Sequence, residues 1–135
     1  MHNTNSCRTY FAIKGDFPTE HISNMLGLMP TQAWNIGDLR KDGKNRFDFS
    51  FWEYGRCDEY DVIVENQMMK TIQDLIPKIP ILQIIRKTYN VTFVLEAVPT
   101  AHLKEPAPAL GVNEEIISFC FKTHTTIDID LFIEK

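Results

Sequence analysis

Two aspartates one residue apart near the end of the chain, Asp128 and Asp130, form the pair whose spacing most directly suggests chemistry. On an extended strand alternate residues share a face, so the two carboxylates stand roughly 6.8 Å apart along the backbone and can converge on a divalent cation. A cation needs further oxygen or nitrogen ligands, and the neighbouring sequence supplies no acidic or histidine motif to complete the set. The expectation is that both aspartates are the solvated face of an amphipathic strand. No metal ligand, cofactor or catalytic residue is assigned.

Three histidines, His21, His102 and His124, carry side chains suited to moving protons near neutral pH. None sits in an H-x-x-x-H or H-E-x-x-H frame, and each reads as a helix-surface or loop residue. Cys57 follows Arg56, which favours a thiolate, but Asp58 and Glu59 oppose that effect. The glycines never assemble into G-x-G-x-x-G or a phosphate-binding loop.

Aromatic side chains offer a different kind of site. Trp34, Trp52 and Tyr54 fall on the two arms of an expected β-hairpin, where they can form a platform for a ligand or protein partner, with Asp38 grouped beside them. Trp52 shares its expected strand face with Asp48 and Ser50, which argues for partial exposure. Candidate partner- or ligand-binding residues are therefore Trp34, Asp38, Trp52, Tyr54, Asp128 and Asp130. Arg40, Lys41, Lys44 and Arg46 cluster at the hairpin tip and read as solubilising charges there.

The elements that must position these residues follow from periodicity. Thr9–Lys14 is β-prone, and Pro18-Thr19 supplies helix-start chemistry for a stripe of Ile22, Met25 and Leu26 that Gly27 ends. Ala33–Arg40 and Arg46–Glu53 alternate as two strands joined through Lys41-Asp42-Gly43-Lys44, with Phe47, Phe49 and Phe51 on one face. Val64, Met68, Ile72, Leu75 and Ile76 keep helical spacing up to Pro77. Pro80 permits a second helical segment carrying Leu82, Ile85 and Tyr89, closed by Asn90 in the left-handed region. Val91–Val98 is a near-continuous apolar run and is expected to be a central strand.

Three prolines mark residues 99–108 as an exposed loop. Asn113-Glu114-Glu115 is a helix start that places Ile116, Ile117, Cys120, Phe121 and His124 on one face, although Ile117, Phe119 and Phe121 also alternate like a strand. Thr125–Ile133 reads as one strand with Ile127, Ile129, Leu131 and Ile133 inward. This order predicts a single α+β domain over 1–135, with residues 1–8 as a flexible N-terminus. The expected architecture is a mainly antiparallel sheet of about five or six strands with three or four helices, mostly on one face.

Composition narrows the function classes. With 135 residues, 44% hydrophobic and 24% charged, the chain can bury one core. No apolar run approaches the ~20 residues of a membrane helix, and the polar N-terminus lacks a secretory h-region. Three widely spaced cysteines suggest neither a disulfide framework nor a zinc knuckle, and fit a reducing cytoplasm. Residues 1–104 carry 12 basic and 12 acidic side chains while 105–135 carry 2 and 6, so the net charge of −4 resides in the last quarter. With no broad basic field, neither nucleic acid nor membrane is expected as a partner; the oligomeric state is not legible.

The stretch YFAIKGDFPTEHISNMLGLMPTQAWNIGD from Tyr10 to Asp38, then FWEY from Phe51 and IDIDLF from Ile127, resembles a bacterial family known as domain of unknown function 4279. The resemblance implies a bacterial α+β domain and favours helix over strand for Asn113–Lys122. It transfers no catalytic residue. The expected function is a non-enzymatic small binding protein that docks a protein partner, by analogy with immunity proteins that use complementary charge. The alternative is a metal-dependent enzyme or small-ligand binder centred on Asp128 and Asp130.

Overall fold

A computed structural model describes residues 4–135, in which six strands and four α-helices form an α+β fold. Strand β1, Ser6–Asp16, points Cys7, Thr9, Phe11 and Ile13 into the core, while Arg8, Tyr10, Ala12 and Lys14 occupy the other face, where Ala12 is buried as well. Of the flexible N-terminus expected over 1–8, residues 1–3 lie outside the described residues and Ser6–Arg8 is already paired strand. Helix α1, Thr19–Leu26, ends at Gly27 with φ 65°. Its first turn is capped by Asn35, whose Oδ1 accepts from the Thr19 N–H at 2.9 Å, and not by a hydroxyl of its own.

The hairpin is shorter than the sequence pattern suggests. Strand β2 is only Gln32–Trp34 and β3 is Ser50–Cys57, with an irregular excursion between them. The reason is local polar competition: the Asn35 N–H bonds Asp38 Oδ2 at 2.8 Å, and Arg46 caps the Gly37 carbonyl, so the first arm turns away at Asn35. The expected tip survives, with Asp42 accepting from the Lys44 and Asn45 N–H groups at 2.9 Å.

Helix α2, Val64–Ile72, passes through a 3₁₀ turn, Ile76–Lys78, into α3, Ile79–Thr88. Tyr89 is extended and Asn90 opens β4 directly, so no left-handed residue closes α3. Strand β4, Asn90–His102, runs beyond the expected Val98 and carries Pro99–His102 as strand, which leaves the exposed loop to begin at Leu103. Its extra length is held by pairing of Cys7 and Ser6 with Pro99 and Thr100.

Asn113 caps α4, Glu114–Thr123, by accepting from the Ile116 N–H at 3.0 Å, which settles residues 113–123 as helix. The buried stripe is Ile116, Phe119, Cys120 and Thr123, whereas Ile117 and Phe121 face out at 53% and 80% exposure. The last strand is broken in two, β5 (Thr125–Ile129) and β6 (Phe132–Glu134). The Asp130 N–H bonds the Ala97 carbonyl where the chain steps between them, and Leu131 and Ile133 end exposed rather than inward.

Strand order is β2-β3-β1-β4-β5, with β6 beside the far end of β4. Pairing is antiparallel except that β5 and β6 run parallel to β4, an arrangement that requires the crossover α4 provides. The helices cover one sheet face, where Phe11, Ile22, Trp52, Met68, Leu82, Phe93 and Phe119 pack as a single cluster. The opposite face is left without a helix, although Ala12, Phe51, Glu53 and Glu96 on it are buried. No helix among the described residues is long and apolar enough to cross a membrane.

Candidate functional site

The open face of the sheet carries a row of polar residues in direct cross-strand register. Tyr10 of β1 lies opposite Glu96 of β4, and Glu96 lies opposite Asp128 of β5. Directly opposed residues bring their Cβ atoms within ~5.5 Å. Asp130, just beyond β5, is tied to the same place by its backbone bond to Ala97. One carboxylate oxygen from each of Glu96, Asp128 and Asp130 lies within 4.8 Å of the others, and no histidine belongs to the group.

The three acids are not equivalent. Asp128 and Asp130 are exposed, but Glu96 retains only 6% of its surface, and among the described residues it has no ion-pair partner. Burial, and then hydrogen bonding and repulsion from Asp128 and Asp130, push its carboxyl up to about 8. The Tyr10 hydroxyl is raised too, first by burial and then by the negative charges of Glu96 and Glu53, against the opposing pull of Arg56 and Arg8.

On the other side of Tyr10 the site is built by a bulge. Thr9 pairs with Cys57 but Phe11 pairs with Tyr54, so Gly55 and Arg56 together face Tyr10. Gly55 has φ 72° and a β-carbon there would run into the Thr71 carbonyl, so only glycine fits. The bulge swings Arg56 over the Tyr10 ring, 5.6 Å from its centroid, and onto buried Glu53 through bonds of 2.7 and 3.0 Å. Glu53 also accepts from the Thr31 hydroxyl at 2.6 Å, so its charge is fully met. Among the described residues Glu96, Asp128 and Asp130 have no such cation, and of these three only Glu96 is buried.

The sequence-derived candidates divide between two places. Asp128 and Asp130 come together and both are exposed, as expected for the solvated side of the strand, with buried Glu96 beside them. Trp34, Asp38, Trp52 and Tyr54 belong to β2, β3 and the loop between, across the sheet. Trp52 is fully buried in the core, its indole N–H donating to Ser23 at 3.0 Å, so the exposure expected for it is wrong: the face it shares with Ser50 is the covered one. Tyr54 packs against that core and donates to Asp74 at 2.7 Å. Trp34 is sandwiched between Phe47 and Phe51 at 4.1 and 4.4 Å, leaving no ring face for a ligand. Asp38 serves the turn at Asn35.

His21 bonds the Tyr89 hydroxyl and His102 lies 3.6 Å from Glu134, neither near the acids. Cys7, Cys57 and Cys120 are free thiols, and burial pushes Cys7 and Cys120 up to about 11, away from nucleophilic use. Sequence reading missed Glu96, Tyr10 and Arg56. The available signal for Glu96 was a lone carboxylate inside the apolar run expected to be a central strand.

In chemical terms the triad is a hard, oxygen-only donor set with an open side toward water. Oxygen atoms within 4.8 Å of one another match the span across a cation with bonds of about 2.3–2.6 Å, and small movements of the two exposed aspartates suit a smaller ion. A family model described as Domain of unknown function (DUF4279) matches residues 5–134. No curated protein and no solved structure matches the chain.

Proposed function

Since the chain belongs to the DUF4279 family, whose description carries no activity, the site itself must supply the functional reading, and we propose that the protein is a divalent-cation-dependent binder of a small ligand. The observation that carries this is Glu96, a carboxylate 6% exposed, lacking any positive partner, and aimed at two further carboxylates. Burying an acid without a counter-charge costs several kcal/mol, and a hard cation removes that cost. Magnesium, manganese and calcium have the ligand preference for it. Coordination positions on the open side accept an oxygen of the ligand, and the Tyr10 hydroxyl beside Glu96 can donate a hydrogen bond to it.

Isothermal titration calorimetry of the metal-free chain with each cation tests the reading. Binding with a dissociation constant of about 10⁻⁵–10⁻³ M is expected, abolished in Asp128→Asn/Asp130→Asn without loss of the fold. No binding heat for any of the three ions, at two temperatures, would end it.

A second reading, docking of a basic protein, is favoured by the sheet edge at β6. There Leu131, Phe132 and Ile133 are 44%, 56% and 63% exposed beside Asp130 and Glu134. A stoichiometric basic protein that co-purifies from the native host, and is lost on Phe132→Ser/Ile133→Ser, would favour docking over ligand binding. A cytoplasmic location suits either reading, because three free thiols persist there.

A further inference from the structure

On the helical side of the molecule a half-open surface cavity of about 370 Å³ lies between the C-terminal ends of α3 and α4, lined by the exposed side chains of Gln83, Arg86, Lys87, Lys122 and His124. The two helices are tied there by Gln83, whose Nε2 donates to the Lys122 carbonyl at 2.9 Å. Three of the five side chains carry permanent positive charge and no carboxylate lines the space. Among the described residues none of Arg86, Lys87 and Lys122 has an ion-pair partner. In a chain of net charge −4, unpaired cations converging on one concavity call for an explanation.

Cations complement the carbonyl ends of helices, and that accounts for part of the cluster. It does not account for His124. The residue after α4 adopts φ 56° and ψ 39°, a position where glycine is usual, and it is the non-glycine residue with positive φ among those described. A β-carbon there carries a steric cost that glycine avoids, and in return a histidine side chain joins the lining of the cavity.

We infer that this cavity binds a small soluble polyanion bearing phosphate groups. Arg86 supplies a planar fork for phosphate oxygens, Lys87 and Lys122 supply point charges, and Gln83 and His124 supply N–H donors. The volume falls at the lower end of the range for small-molecule sites, which suits a diphosphate or a sugar phosphate. This site is separate from the acids of the open sheet face, and it stands whether or not they hold a cation.

The test is a ¹⁵N–¹H correlation titration of the full chain with pyrophosphate, in chelator and at constant ionic strength, with phosphatidylglycerol vesicles as a second arm. Saturable shifts confined to residues 83–88 and 120–126 are expected, with a dissociation constant below about 1 mM. Arg86→Glu/Lys122→Glu should weaken binding by at least about tenfold while the rest of the spectrum stays in place. His124→Gly separates ligand binding from helix capping: it should leave the melting temperature equal or higher, yet weaken pyrophosphate several-fold. Absence of shifts up to about 10 mM, or unchanged affinity in the charge-reversed variant, would overturn the assignment. Binding to vesicles without binding to pyrophosphate would also overturn it.

Discussion

Replacing Glu96 by Gln keeps the side chain's shape and removes its charge, which isolates the electrostatic burden of the sheet-face site. Without a cation, its carboxyl is moved from an ordinary 4.5 up to about 8, so the folded chain holds a proton that the unfolded chain releases. The associated stability is therefore complete below about pH 4.5 and is lost as pH rises through about 8. A fully excluded group would lose about 1.4 kcal/mol per pH unit across that window. Asp128 and Asp130 face water and are screened, which reduces the expected loss between about pH 5 and pH 9 to roughly 1–3 kcal/mol.

Urea denaturation followed by tryptophan fluorescence, in chelator, would measure this, since Trp52 is fully buried and reports the core. The native chain should lose stability as pH rises, and Glu96→Gln should stay flat and exceed it at high pH. Magnesium, manganese or calcium at about 100 times its dissociation constant should return about 2.7 kcal/mol to the native chain at about pH 8 and nothing to the variant. A native profile that is flat or climbs over this window would refute the electrostatic reasoning. Equal stabilisation of both proteins by the cation would refute the ligand assignment.

Three further outcomes are expected. Trp52→Ala should cost about 3–5 kcal/mol in equilibrium unfolding, as a core truncation and not as the loss of an exposed platform; a cost below about 1 kcal/mol would contradict its burial. Gly55→Ala should destabilise by about 1–3 kcal/mol and, by disturbing the bulge, release Arg56 from Tyr10, seen as a further rise of the already raised Tyr10 hydroxyl in a spectroscopic phenol titration, because a cation that favours the phenolate is withdrawn. Asp128→Asn/Asp130→Asn should lower the pH at which Glu96 deprotonates, read by carboxyl-carbon NMR, because burial then acts without their negative charges.

Elements whose evidence is local were legible in the chain. Thr125–Ile129 alternates, Val64–Ile72 repeats at helical spacing, Gly27 stops α1, and Asn113 announces α4, because each depends on residues within a turn or two. The α+β class and the apolar core followed from those same periods. Where polar side chains compete with the ladder the pattern misled: Asn35 and Asp38 cut β2 short. The final strand breaks where the Asp130 backbone N–H bonds the Ala97 carbonyl, although the alternation of apolar residues runs on through it. The candidate site lies beyond what such periods encode. Asp128 is visible as half of a pair, but its third partner comes from β4, and α4 brings β5 to that edge in parallel register with Glu96 opposite Asp128. Cross-strand register is decided by the packing of α4 and by the shared core face, neither of which is written near Asp128. Tertiary structure alone turned two solvated aspartates into a triad around a buried, unpaired acid.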